Sequence, residues 1–234
     1  MPKKCPRCGY ENPDDALYCM RCGYPLSQQS GSSTNVLENA FNLLLKNSKL
    51  IYFPLGFLIL QILVLIILFL FTAIPPVSIF RPLVVGISLL VAFVLSVIES
   101  IGFAYVINRV TEEAYHIVAP QNPLKMDFSK LYNYVIGLGI IGGILGLAGQ
   151  PLVWVIVGLL SLGIYIASIL LMENAQVTLD NIFNWLSRLF NQDVLTAIVI
   201  IILGILNMIP VIDVFTIPYL ALVFVEEEIK SSKI

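Results

Sequence analysis

Residues 50–80 read LIYFPLGFLILQILVLIILFLFTAIPPVSIF, an uncharged run of 31 residues between Lys49 and Arg81. A helix of roughly 20 apolar residues is long enough to cross the hydrocarbon core of a bilayer. The run therefore predicts a first membrane span at about Leu50–Phe71, which a pair of prolines then ends. A second span is predicted before the charges resume at Arg109.

The second half of the chain continues this pattern. Lys130 and Glu173 enclose an uncharged run of 42 residues, which Gln150–Pro151 divides into two spans. Two shorter apolar segments follow on either side of Pro210, and they form either two thin spans or a re-entrant hairpin broken at the proline. The predicted spans are therefore about 50–71, 82–107, 134–149, 152–172, 194–209 and 211–225.

The composition assigns the chain to the membrane class. Its 234 residues are 58% hydrophobic and only 12% charged, with a mean hydropathy of +0.91. Soluble domains carry about 25% charged residues. We therefore predict an all-α polytopic membrane helix bundle over residues 35–234, with about six transmembrane helices and additional interfacial helices. The N-terminus lacks the apolar core of a signal peptide.

Lysine and arginine are distributed unequally over the predicted loops. Twelve of the 13 basic residues fall on the side that holds both termini, and only Arg81 falls on the other side. Cytoplasmic loops of membrane proteins are enriched in these residues. We therefore expect a multi-pass protein of the cell membrane with cytoplasmic N- and C-termini.

All four cysteines lie within the first 22 residues, as Cys5-Pro6-Arg7-Cys8 and Cys19-Met20-Arg21-Cys22. Zn²⁺ favours four thiolates in a tetrahedron, and a tight C-x-x-C turn lets both sulfurs of a pair face one metal ion. Two disulfides or a redox-active pair are the alternatives, but a reducing cytoplasm favours zinc thiolates. We predict one structural zinc ion with the ligands Cys5, Cys8, Cys19 and Cys22.

Residues 1–26 resemble the small zinc-ribbon family with the pattern C-P-x-C-G…N-P…C-x-x-C-G, in which Asn12-Pro13 begins the central turn. The resemblance implies a domain that is too small to fold without its metal. The polar run Ser27–Ser33 indicates a flexible linker over residues 27–34. His116, the only histidine, is predicted to be an ordinary loop residue and not a ligand.

The charges of this ribbon favour a protein partner over a nucleic acid. Residues 1–26 contain four basic and three acidic side chains, which is a weak net charge for binding phosphates. The ribbon tyrosines are better suited to covering the metal core than to stacking bases. We expect the ribbon to dock a cytoplasmic protein or to be purely structural.

Polar residues inside predicted spans are functional hypotheses by default. Glu99 lies roughly 15 Å into the second span, where it would bind a proton, a cation or a lipid headgroup, or pair with a neighbouring helix. Asp213 follows the break at Pro210, which forms either a broken-helix binding site or a plain external turn. Gln61 is predicted to hydrogen-bond to another helix.

The third span is rich in glycine. Gly139/Gly143 and Gly142/Gly146 are both G-x-x-x-G pairs, which let helices approach closely. They predict packing within the bundle or between the subunits of a homo-oligomer. The acidic run Glu226-Glu227-Glu228 marks the exit of the last helix from the membrane and is expected to be solvated.

Two segments of the chain resemble each other. Residues 37–44, LENAFNLL, share five of eight positions with residues 179–186, LDNIFNWL. Each copy is predicted to form an interfacial helix that precedes an outward span. Residues 127–132 form a degenerate third copy, so three units of an interfacial helix and a transmembrane hairpin are expected.

The interfacial helix Leu179–Leu189 and the closing region Ile209-Pro210…Ile217-Pro218-Tyr219 resemble a superfamily of six-span domains. This superfamily includes the membrane domain found with glycerophosphodiester phosphodiesterases, and ribbons fused to such bundles are similar to a recurring archaeal type of membrane protein. The resemblance implies membrane location without an assigned activity, and the phosphodiesterase catalytic domain is absent from the sequence.

No constellation of catalytic residues stands out, so the sequence predicts a non-enzymatic protein. The preferred function is an integral membrane protein whose ribbon docks a cytoplasmic partner or has a structural role. The alternative is a transporter, channel or lipid-handling protein that the ribbon regulates, with Glu99 and Asp213 as its intramembrane residues.

Overall fold

The computed structural model describes residues 3–4, 10–13, 20–21, 35–73, 81–119, 128–147, 151–172 and 175–231. The chain divides into two compact units, Met1–Asn35 and Val36–Ile234. In the first unit, β1 (Lys3–Lys4) pairs antiparallel with β2 (Glu11–Asn12), with Lys3 opposite Asn12 and Lys4 opposite Glu11.

The described residues of the second unit form eight α-helices. They are α1 (Val36–Lys46), α2 (Tyr52–Ala73), α3 (Arg81–Val118), α4 (Tyr132–Leu147), α5 (Pro151–Met172), α6 (Leu179–Gln192), α7 (Val194–Leu206) and α8 (Asp213–Ser231). Short 3₁₀ turns at Ser48–Ile51 and Phe128–Leu131 lead into α2 and α4. Helix α8 contacts α1, α2, α3, α5 and α7, and it forms the centre of the core.

Three segments are long and apolar enough to cross a membrane: Ser48–Ile67, Leu83–Val118 and Val155–Met172. The predicted number of six spans is therefore not confirmed within the described residues. Helix α7 has 13 residues and is about 20 Å long at 1.5 Å per residue. A bilayer core is about 30 Å thick, so this helix is too short to cross it unaided.

Helix α3 continues 11 residues beyond the predicted end of the second span, as far as Val118. Charged residues end a membrane span but not a helix, and Arg109 forms a 2.7 Å ion pair with Glu112 one turn later. His116 consequently lies in the last turn of α3 and not in a loop, which corrects the prediction.

Helices α7 and α8 form a hairpin that ends near the middle of α2. Asp213, the first residue of α8, hydrogen-bonds to Gln61, the tenth of the 22 residues of α2. Burial agrees with this depth, because no described residue from Leu83 to Gly102 of α3 is buried, whereas most from Phe103 to Tyr115 are. The hairpin thus fills one half of the bundle, and a plain turn beyond the end of α2 does not describe it.

The two similar segments form α1 and α6. Equivalent positions share their environments: Ala40 and Ile182 are buried, while Phe41 and Phe183 are 53% and 66% exposed. The third copy differs, since its described residues form the 3₁₀ turn that leads directly into α4. Matching amphipathic helices thus precede the α2–α3 and α7–α8 hairpins.

The closest approach of two helices lies at glycines that sequence reasoning did not single out. A Cβ atom on Gly158 of α5 would lie 2.8 Å from the carbonyl oxygen of Gly204 in α7 and 3.0 Å from Ile205 Cα. At Gly139 of α4 a Cβ atom would lie 3.5 Å from Ser100 Cβ, which is an ordinary contact. Gly142, Gly143 and Gly146 also lie in α4, outside the residues whose surroundings are described.

These contacts predict opposite results for two identical substitutions. We expect Gly158→Ala to lower the free energy of unfolding by about 1–3 kcal/mol, because backbone atoms of α7 block the new methyl group. Gly139→Ala should leave stability unchanged or raise it by up to about 1 kcal/mol, since alanine favours the helix. Unfolding in mixed micelles measures both, and equal losses in the two variants would contradict the packing argument.

Candidate zinc ribbon and intramembrane polar cluster

The four predicted zinc ligands, Cys5, Cys8, Cys19 and Cys22, lie outside the described residues. The described residues beside them fit such a site. Strand β1 ends immediately before Cys5, and Met20–Arg21 form a turn between the second pair of cysteines. Both features are those that a ribbon needs, because each C-x-x-C pair must bend tightly for its sulfurs to face one ion.

Asn12 connects the parts of the ribbon, and its role was missed from the sequence. Its side chain is 1% exposed, donates a 2.9 Å hydrogen bond to the Tyr10 carbonyl and accepts a 2.8 Å bond from the Met20 backbone N–H. It therefore joins β2 to the second cysteine turn. The signal was the N-P pair in the family pattern, which had been interpreted only as turn chemistry.

The hairpin tip and α2 meet in a buried polar contact. Gln61 Nε2 donates a 2.8 Å hydrogen bond to Asp213 Oδ2, and the two residues are 7% and 0% exposed. The predicted interhelical hydrogen bond of Gln61 is thus confirmed. The other oxygens of both side chains, Gln61 Oε1 and Asp213 Oδ1, are buried without a hydrogen-bond partner.

Glu99 of α3 belongs to the same region, because its carboxylate lies close enough to that of Asp213 for the two to repel each other. The sequence predicted Glu99 and Asp213 separately, and the fold brings them together around Gln61. Among the described residues, no lysine, arginine or histidine forms an ion pair with either carboxylate. We call Gln61, Glu99 and Asp213 the polar cluster.

A second buried network holds the hairpin turn against α5. Thr216 Oγ1 donates to Asn207 Oδ1, and Asn207 Nδ2 donates a 2.9 Å hydrogen bond to the hydroxyl of Tyr165. Within the turn, Val211 has a φ of 77°, a conformation that β-branched residues rarely adopt. The turn is therefore fixed by polar bonds on one side and is strained at Val211.

The acidic end of α8 is buried, which corrects the prediction of a solvated run. Glu226, Glu227 and Glu228 are 7%, 4% and 5% exposed because α1 and α6 cover this end of the helix. Asn39 of α1 donates a hydrogen bond to Glu226, and Glu228 accepts one from Trp185. The remaining partners are Arg188 on Glu228 and Lys230 on Glu227.

Glu226 lies beyond the predicted span 211–225 and makes the contact with α1 sensitive to pH. Burial raises its pKa to about 7 even though the bond from Asn39 opposes the shift, and the Glu227 carboxylate raises it further. The folded protein keeps this proton to a higher pH than the unfolded chain, in which Glu226 titrates near its ordinary pKa of 4.5. The contribution of Glu226 therefore weakens as the pH rises from about 4.5 to 7.

We expect Glu226→Gln to raise the melting temperature at pH 8 and to flatten its decline between pH 5 and 8, because the neutral amide needs no proton. Glu38→Gln on the exposed side of α1 is the matched control and should leave the profile unchanged. Melting curves over this pH range test the prediction, and parallel wild-type and Glu226→Gln profiles would contradict it.

The helices and the site define the class first: a helical protein with segments suited to a membrane and a small N-terminal ribbon. Residues 4–26 match the family of zinc-ribbon domains, so the chain carries such a domain, which implies zinc binding. Neither a curated protein nor a solved structure matches the chain. The likeness of the bundle to the phosphodiesterase-associated membrane superfamily consequently stays a prediction.

Proposed function

We propose that the protein is a multi-pass integral protein of the cell membrane whose zinc ribbon serves as a cytoplasmic docking module. The observation that carries this proposal is the attachment of α1, the first helix after the ribbon unit. The Tyr219 hydroxyl of α8 donates a 2.9 Å hydrogen bond to the Leu37 carbonyl, and Asn39 donates to Glu226. A protein held by the ribbon is thereby tethered to the central helix of the bundle.

The division of the chain supports a docking role. The ribbon unit ends at Asn35, and α1 begins at the next residue. A polar serine-rich linker between the cysteines and α1 allows the ribbon to reach a partner without disturbing the helices. The basic residues on the side of both termini support a cytoplasmic location, where zinc thiolates are stable.

The experiment is crosslinking mass spectrometry in native membranes, comparing the intact chain with a variant that carries serine at all four cysteine positions. A cytoplasmic protein captured only by the intact chain supports docking. A Met20→Ser variant controls for serine in the ribbon, because Met20 is 75% exposed beside Cys19. The same neighbours in all three samples would leave the ribbon a structural role only.

A second function, that of a transporter, channel or lipid-handling protein, is favoured by the polar cluster. Buried ionisable groups at the end of a short hairpin are typical of substrate and ion paths in membrane bundles. Glu99→Gln would then abolish solute flux in proteoliposomes while leaving the fold intact. Unchanged flux in this variant would exclude a role for Glu99 in transport.

A further inference from the structure

The polar cluster has unsatisfied acceptors on two buried side chains. Gln61 and Asp213 spend one hydrogen bond on each other, which leaves Gln61 Oε1 and Asp213 Oδ1 without one. A buried polar atom without a partner destabilises a protein by about 1–3 kcal/mol. Both free atoms are oxygens that can only accept, so neither can satisfy the other, and a positively charged species would satisfy both.

The charges around these oxygens have the sign that attracts a cation. Glu99 brings a second carboxylate into the range of Asp213. No basic side chain forms an ion pair with either of them in the part of the chain that the structure describes. A buried carboxylate needs a partner of opposite charge, and here the protein supplies none among these residues.

The backbone at the hairpin tip favours an ionised Asp213. This residue begins α8, where the helix dipole is positive. The backbone N–H groups of Val211 and Val214 also face its carboxylate and attract negative charge. An anionic Asp213 presents a full charge beside the free oxygen of Gln61, and this arrangement calls for a cation from outside the chain.

We infer that Gln61, Glu99 and Asp213 form a binding site for a monovalent metal cation of the sodium or potassium type. Carboxylate and amide oxygens suit such hard cations, which do not require nitrogen or sulfur ligands. Among the described residues, no three histidine, cysteine, aspartate or glutamate side chains group as metal ligands, so a more demanding divalent site is not indicated. The inference is independent of the docking proposal.

The depth of the hairpin gives the site its place in the bundle. The tip of α7–α8 ends beside the midpoint of α2, and the tightly packed part of α3 begins at Phe103, four residues after Glu99. An ion at the cluster would therefore sit where the dense core ends. Short helices that end inside a bundle bind ions at this level because their termini and loops leave polar groups free.

The test is thermal unfolding of the purified full chain in nanodiscs at fixed pH and ionic strength, in sodium, potassium or choline chloride. We expect the melting temperature to rise saturably in sodium or potassium, by roughly 5–10 °C at 100 times the dissociation constant. Choline should give no rise. Asp213→Asn should remove the response, and Asp180→Asn, at an exposed position of α6, should keep it.

Three outcomes would overturn the inference. The first is the same melting temperature in all three salts, and the second is an undiminished metal response in Asp213→Asn. The third is a dependence on pH alone that Asp213→Asn abolishes, because the cluster would then hold a proton. Should Asp213→Asn fail to fold, Gln61→Met removes the free amide oxygen at similar volume, and an unchanged metal response in that variant counts equally against the site.

Discussion

Replacing Cys19 by serine is expected to abolish zinc binding and to unfold the ribbon, while the helical bundle keeps its stability. A domain of this size buries too little apolar surface to fold without help. Structural zinc sites supply about 10–16 kcal/mol in comparable peptides at pH 7, so loss of the metal removes far more than a small core could replace. We therefore expect the largest effect of any single substitution at this cysteine.

Zinc content and hydrogen exchange measure this effect together. The intact chain should contain one zinc ion, and Cys19→Ser should contain almost none, with rapid exchange over residues 3–21. The bundle should show the same protection in both proteins, because it forms a separate unit. Met20→Ser is the control, since it places serine at the adjacent exposed position without removing a thiolate. A slowly exchanging ribbon in zinc-free Cys19→Ser would contradict the prediction.

The helices could be predicted from the sequence because their signals are local. Uncharged runs and the breaks at Gln150–Pro151 and Pro210 depend only on neighbouring residues, and every predicted span corresponds to a helix. The depth of the α7–α8 hairpin is a different kind of property. It depends on the contact between Asp213 and Gln61, which are 152 residues apart. No local pattern reports such a distance, so two thin spans and a re-entrant hairpin were equally compatible with the sequence.

Burial of charge was the least predictable property of the chain. A run of three glutamates ordinarily indicates solvent exposure, but two helices far apart in the sequence cover Glu226–Glu228 and provide donors. The repeat of α1 and α6 held a partial signal, since it places Asn39 and Trp185 on matching helices. Their common target on α8 became visible only in the fold.

Glycine shows the same limit in another form. The G-x-x-x-G pairs in α4 drew attention because they are regular, whereas the tightest approach joins Gly158 of α5 to Gly204 of α7. Each of these glycines stands on a different helix, so no spacing within one helix reveals the pair. The cluster of Gln61, Glu99 and Asp213 is likewise a product of three helices.

Replacing Trp185 by alanine is expected to lower the free energy of unfolding of the bundle by about 3–5 kcal/mol, the range for losing a buried aromatic side chain. Trp185 is 5% exposed, and its ring centroid lies 5.1 Å from that of Phe224 on α8. Phe224 in turn stacks on Tyr165 of α5 at 5.1 Å. The substitution would therefore open a cavity at one end of an aromatic row that joins α6, α8 and α5.

The indole N–H adds a polar contribution, because it donates to the buried carboxylate of Glu228, which also accepts from Arg188. Trp185→Phe keeps most of the ring but loses this donor, and we expect it to lower stability by about 1–3 kcal/mol. Phe183→Ala removes an aromatic ring from the exposed side of the same helix, where it is 66% exposed, and should change stability by less than about 0.5 kcal/mol. Unfolding in mixed micelles measures all three variants. An equal loss in Trp185→Ala and Phe183→Ala would show that α6 does not hold the end of α8 through Trp185.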